Sequence, residues 1–172
     1  MPVTLLRIDD RLVHGQVVEG WLKSLRVSHV VVASDAVMAD ETQRALYCLA
    51  VPQGIQLSCL SVSETAKAWR NGKWPDERVL VLVSNPQDVL RLLDGGAPVR
   101  SVNVGGLHFR EGRVQILKAV SLDDADVAVF RTLTQRGVVL EARPLPLDEP
   151  VDMNAYLDRW QQDREVLGDQ PR

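Results

Sequence analysis

Residues 78–96 read "RVLVLVSNPQDVLRLLDGG", and this stretch decides the fold. Val79 to Val83 form the most apolar run of the chain, as expected of a strand buried on both faces. The pattern then changes at once. Asn85 is an N-cap residue type, Pro86 suits the first helical position, and Gly95 is a terminator. A doubly buried strand running straight into a capped helix is the repeating unit of a parallel α/β domain.

The same alternation extends in both directions. Upstream, "VTLLRI" (3–8) and "SHVVVAS" (28–34) read as strands, and "IQLSCLS" (55–61) as a third. Between them, "GQVVEGWLKSL" (15–25) has apolar residues at helical spacing. "ADETQRALYCLAV" (39–51) is helical up to the breaker "PQG". Ser61 with Glu64 marks a capping box for the helix containing "VSETAKAW". Downstream, "VRSVNV" (99–104) is a strand, "VVLEARPLP" (138–146) a last strand, and "DMNAYLDRWQQDREVL" (152–167) a terminal helix. Ser121 is the expected cap of a helix with Asp123 and Asp124 in its first turn, ended by Gly137.

These elements predict a doubly wound α/β domain with a mostly parallel sheet of six or seven strands and helices on both faces. Residues 106–122 lack a helical period. That non-helical connection after Val104 leads us to expect one antiparallel strand. We expect a single domain over 1–165 and a flexible tail over 166–172.

The 172 residues suffice for one sizeable core, with 45% hydrophobic and 25% charged residues as in a globular protein. A net charge of −3 argues against a nucleic-acid binder. No apolar run is long enough for a membrane span, and the first residues do not resemble a secretory signal. Cys48 and Cys59 sit in apolar neighbourhoods without metal-ligand spacing and are expected to be buried, reduced thiols. The four tryptophans read as core or edge aromatics. Asp35 reads as a loop cap, with a site residue as the alternative.

The loops at the carboxyl ends of the strands are where such a sheet binds ligands. The first, "RIDDRLVHGQ" (7–16), gathers Asp9, Asp10, Arg11 and His14. Arg11 offers a planar fork that matches phosphate oxygens. Gly15 gives access to the backbone, and a helix begins there. A neutral His14 is a nucleophile toward phosphorus. The carboxylates would orient the imidazole or pair with Arg11. A mixed-charge surface loop accounts for the same residue types. The spacing is neither a phosphate-binding P-loop nor a dinucleotide fingerprint. Ser84 is either a phosphate donor or a plain strand-end serine. Gly105 and Gly106 are expected to form a turn that clears space near His14. His108 reads as structural or as part of a contact surface, and His29 carries no motif.

"RIDDRLVHGQV" resembles the active-site signature of the mannose/fructose/sorbose-type IIB subunits of the bacterial sugar phosphotransferase system. "VVVASDAVMADE", "LVSNPQDVLRLLDGG", "VNVGGLHFREGRVQILKAVSL" and "GVVLEARPLP" resemble successive blocks of that family, covering residues 5–151. The resemblance implies that His14 accepts a phosphoryl group from a IIA phosphohistidine, on Nδ1. The group then passes to a sugar carried by membrane subunits IIC and IID. It makes Arg11 the phosphate clamp and matches Asp9 and Asp10 to the family's acidic pair, and Gly15, Gln16, Ser84, Gly105 and Gly106 are expected to support the same site. It implies no metal and no cofactor, and a cytoplasmic subunit at the inner membrane, free-standing and not fused to IIA, with a homodimer open. Specificity is expected to lie mainly in the membrane subunits. Two other readings remain: a regulatory phosphoprotein of the same fold, and a non-catalytic α/β module for an anionic metabolite.

Overall fold

The computed structural model describes residues 3–168. Nine strands are present among them: β1 (Val3–Asp9), β2 (His29–Ala33), β3 (Gln56–Leu60), β4 (Val79–Val83), β5 (Ser101–Gly106), β6 (Val114–Leu117), β7 (Val120–Leu122), β8 (Val139–Ala142) and β9 (Val151–Asp152). Seven form one sheet in the order β3-β2-β4-β1-β5-β8-β9, and β6 pairs with β7 in a separate hairpin. The helices are a π-wound segment (Gln16–Leu22), α1 (Asp35–Met38), α2 (Glu41–Ala50), α3 (Val62–Arg70), α4 (Pro86–Asp94), α5 (Asp124–Gln135) and α6 (Met153–Gly168).

The apolar run at 79–83 behaves as its composition dictates. Val79, Val81 and Val83 enter one hydrophobic core, and Leu80 and Leu82 enter the other, on the opposite sheet face. All five are fully buried. Each such side chain contributes about 1.5–3 kcal/mol on burial, so this strand anchors both layers. It pairs in parallel with β1 and with β2. Asn85 caps α4 by accepting the Asp88 N–H at 2.8 Å, with Pro86 in the first turn. The Ser61–Glu64 capping box of α3 is present. Asp35 does act as a cap, but of α3: its carboxylate accepts the Val62 N–H at 3.0 Å and also pairs with Arg91 at 2.7 Å.

Several expectations are corrected. The antiparallel strand is β9, paired with β8, while β5 and β8 run parallel. The non-helical connection after Val104 instead makes the β6–β7 hairpin beside the sheet. Ser121 does not cap α5, because it is paired within β7 opposite Gln115. Asp123 is the first residue free to do so, in a reciprocal box with Asp126. Gly95 does end α4, as its C-cap, and Gly96 after it takes the left-handed conformation (φ +86°). Cys48 is exposed and Cys59 half-buried. The reason is their place at the open edge of the sheet, where β3 has one neighbour and α2 buries none of its residues. The four tryptophans are buried as expected. Of the expected flexible tail, residues 166–168 continue α6 and 169–172 lie outside the described residues.

Candidate functional site

The carboxyl ends of β1, β4 and β5 lie side by side at the middle of the sheet, and the first loop leaves from β1 there. Its path is tightly folded. The Asp10 N–H donates to the Gly106 carbonyl at 3.0 Å, and the Leu12 N–H returns to the Asp9 carbonyl at 2.9 Å. Leu12 itself is left-handed (φ 56°) and buried. That conformation is costly for a branched side chain. It turns the chain so that Leu12 enters the core, Arg11 projects outward and His14 comes back over Asp9.

Asp9 is the hub. It is fully buried, and Oδ2 meets both Nε2 of His14 and Nη2 of Arg7, each at 2.9 Å. Oδ1 accepts the Arg11 N–H at 3.2 Å. Burial alone would raise the Asp9 carboxyl. The His14 hydrogen bond, the Arg7 charge and the backbone donor outweigh it and hold Asp9 below the usual carboxylate range. An ionised carboxylate only accepts, so Nε2 of His14 carries the hydrogen. Nδ1 is left with its lone pair and makes no hydrogen bond among the described residues. The imidazole is thus presented in one tautomer, nucleophilic at one nitrogen.

Beneath Asp9 stands Arg7 of β1, a residue to which the sequence pattern assigns no role. Its side chain is fully buried. Nη1 donates to Asn103 Oδ1 at 2.6 Å and to the Arg143 carbonyl at 3.0 Å; Nη2 also reaches the Pro144 carbonyl at 3.1 Å. The guanidinium lies 5.1 Å from the ring centre of Trp21, whose indole N–H donates to the same Pro144 carbonyl. Burial pulls the guanidinium below its ordinary pKa, and the Asp9 charge opposes that. One signal was available: a charged residue inside an otherwise apolar strand must find a buried partner.

The other expected residues divide. Arg11 is 46% exposed, 3.9 Å from Asp9 and 3.3 Å from Gln16 Oε1. It borders a cavity of about 530 Å³ together with Gln16, His108 and Lys118. No atom lies within 4 Å of where a side chain on Gly15 would start, so the approach there is open. Gly105 and Gly106 do not form a turn; they end β5, and their bareness makes room for Arg7 and Asp9. Ser84 borders a second cavity of about 570 Å³ with Asp10 and Asn85, and its hydroxyl accepts from Asn85. Asp10 is not the partner of His14, which is held by Asp9. Asp10 accepts from the backbone N–H and from Nδ1 of His108, at 2.8 and 2.5 Å. The two acids are therefore distinct: Asp9 faces inward and Asp10 outward. Among the described residues no three His, Cys, Asp or Glu side chains gather as a metal-binding group.

Residues 3–166 match the family model of the sorbose-subfamily IIB component of the phosphotransferase system (PTS). The chain belongs to that family. The sorbose-specific EIIB component of Lacticaseibacillus casei is 39% identical over 158 residues, 92% of this chain and 96% of that one. The mannose-specific EIIAB component of Escherichia coli is 42% identical over 153 residues, 89% of this chain but 47% of the relative. The IIB chain thus spans about half the length of that relative. Among solved structures, the IIB domain of the sorbose permease of Klebsiella pneumoniae superposes with a TM-score of 0.86 at 36% identity, covering 92% of this chain and 98% of that one. The N-acetylgalactosamine-specific IIB component 1 of Escherichia coli gives 0.80 at 34% identity, covering 86% and 97%. The IIB fold, with its mostly parallel sheet, is therefore the fold of this chain. No helix among the described residues is long and apolar enough to cross a membrane.

Proposed function

We propose that this IIB chain carries a phosphoryl group on Nδ1 of His14, taking it from a IIA phosphohistidine and passing it to a sugar handled by IIC and IID membrane subunits. The observation that carries this reading is the clamp of Asp9 on Nε2, which leaves the other nitrogen unprotonated and, among the described residues, unpartnered. A neutral imidazole nitrogen attacks phosphorus with no proton to lose. As the phosphoryl group crosses, its charge spreads over three oxygens, and a positioned cation stabilises them. Arg11 is the residue placed for this. It is half-exposed, held only by two long contacts, and free to turn toward the group. Arg7 is not, since both of its terminal nitrogens are held by Asp9, Asn103 and the carbonyls of Arg143 and Pro144.

The surroundings suit a protein donor. Phe109, 70% exposed, and Leu145 border the same cavity as Arg11. An apolar rim around a charged centre is what a transient partner covers. On this reading the chain works in the cytoplasm and meets the membrane through IIC and IID. The relatives named above are specific for sorbose, mannose and N-acetylgalactosamine, so the acceptor is a sugar of the hexose or amino-sugar class.

The test is phosphorylation by a phosphorylated IIA protein, followed by intact mass and peptide mapping. One phosphoryl group on wild type, none on His14→Ala and a modified His14 peptide are expected. A wild type that stays unmodified beside an active IIA overturns the reading.

A further inference from the structure

The adjacent carboxylates of the first loop each hold one imidazole, by opposite nitrogens. Asp9 takes Nε2 of His14, and Asp10 takes Nδ1 of His108. Asp10 also accepts the His108 backbone N–H, so both the main chain and the ring of His108 are fixed to it. A carboxylate accepts, so Nδ1 of His108 carries the hydrogen and Nε2 carries the lone pair. That Nε2 makes no hydrogen bond among the described residues. The side chain is 48% exposed and borders both cavities, on one side with Arg11 and Gln16, on the other with Asp10 and Ser84.

The two transfers proposed for this chain differ in one respect. When His14 attacks a phosphohistidine, nitrogen replaces nitrogen and no proton is released. When a sugar hydroxyl attacks phospho-His14, an O–H proton must leave as the O–P bond forms. The groups bordering the Arg11 cavity offer few places for it. Arg11 and Lys118 are donors; the side chains there that can take a proton are His108 and Asp148, and one carboxylate oxygen of Asp148 is tied to the Leu145 N–H at 2.8 Å.

We infer that His108 is the general base for the sugar transfer, with Asp10 as its positioning residue. The inference rests on the reading of His14 as the phosphoryl carrier. The step balances: the hydroxyl oxygen bonds to phosphorus, the N–P bond breaks and its electron pair returns to Nδ1 of His14, and the hydroxyl proton goes to Nε2 of His108. The imidazolium so formed is paired with Asp10 and then loses its proton to water. An imidazole held by a carboxylate through one nitrogen and basic at the other is a recurrent arrangement for this task.

The two half-reactions separate this role from a structural one. Wild type, His108→Gln and His108→Gly are first phosphorylated by phospho-IIA. They are then mixed with membrane vesicles containing the cognate IIC and IID, with mannose, fructose, sorbose or N-acetylgalactosamine as acceptor. Phosphorylation of His14 should stay within about twofold of wild type in both variants, which also shows that they fold. The kcat of discharge to the accepted sugar should fall on the order of a hundredfold or more, with KM changed far less. Added imidazole should restore part of the rate of His108→Gly. Discharge of His108→Gln at the wild-type rate, or an equal loss in both half-reactions, overturns the inference while leaving His14 as carrier. If wild type itself takes no phosphoryl group, the underlying reading fails instead. If phosphorylated wild type discharges to none of the four sugars, the inference is overturned.

Discussion

The guanidinium of Arg7 occupies the space in which a side chain on Gly105 would stand: a Cβ there would lie 1.9 Å from Cζ of Arg7. Two residues 98 positions apart in sequence thus share one volume, and only glycine permits it. Gly105→Ala must expel the guanidinium, leaving Asp9 buried without its cation. Removing one partner of a buried ion pair costs about 3–5 kcal/mol. We expect a loss of that order in the urea unfolding free energy, together with loss of His14 phosphorylation in whatever fraction remains folded. An unchanged midpoint would show that Arg7 has another place to go.

The clamp of Asp9 on His14 predicts a tautomer. Nitrogen-15 chemical shifts of His14 in the unphosphorylated protein should report a protonated Nε2 and a bare Nδ1. Asp9→Asn presents an amide that can donate to Nε2, so Nδ1–H becomes favoured and the nucleophile is masked. Transfer from phospho-IIA to this variant should slow by about a hundredfold or more. Wild-type shifts showing the hydrogen on Nδ1 would contradict the assignment.

Arg11 should behave in the opposite way to Arg7. It is half-exposed and makes two long contacts, so Arg11→Ala should change stability by no more than about 0.5 kcal/mol. The rate of phosphoryl transfer should nevertheless drop by about tenfold to a thousandfold. Arg11→Lys keeps the charge but not the fork and should recover only part of that rate. Stopped-flow transfer and urea titration on the same preparations check both halves.

Acid should find Asp9 early in its effect on the fold. Its native pKa lies below the unfolded value of about 3.9. Between those two values the unfolded chain binds the extra proton, so the Asp9 contribution is fully present above about pH 4 and is lost as pH falls through the native value. The difference in unfolding free energy between wild type and Asp9→Asn should be flat from about pH 5 to 7 and shrink below about pH 4. Urea titrations across that range measure it; a difference that grows toward low pH would reverse the sign.

The parts of this molecule legible in the sequence are those governed by local chemistry. The run Val79 to Val83 announced burial on both faces. Asn85 and the Ser61–Glu64 pair announced helix starts, since their partners lie three residues away. His14, Arg11 and Asp9 were found because they share one loop. Arg7 was missed because its partners come from Asn103, Arg143 and Pro144, and nothing near residue 7 names them. The tie of His108 to Asp10 was out of reach for the same reason, since it spans 98 residues. The exposure of Cys48 depended on which strand ends at the sheet edge, a matter of topology and not of neighbours in sequence.

Arg7 hangs on carbonyl groups 136 and 137 residues further along the chain. While the polypeptide is being synthesised, the loop with His14 therefore leaves the ribosome long before the chain segment that will seat Arg7. At bacterial and eukaryotic rates of roughly 5–20 residues per second, that delay is on the order of ten seconds. Throughout it Arg7 lacks its seat and Asp9 lacks the fixed cation beneath it. The nascent chain owns its histidine from the start, but the order that makes the histidine useful arrives with β8.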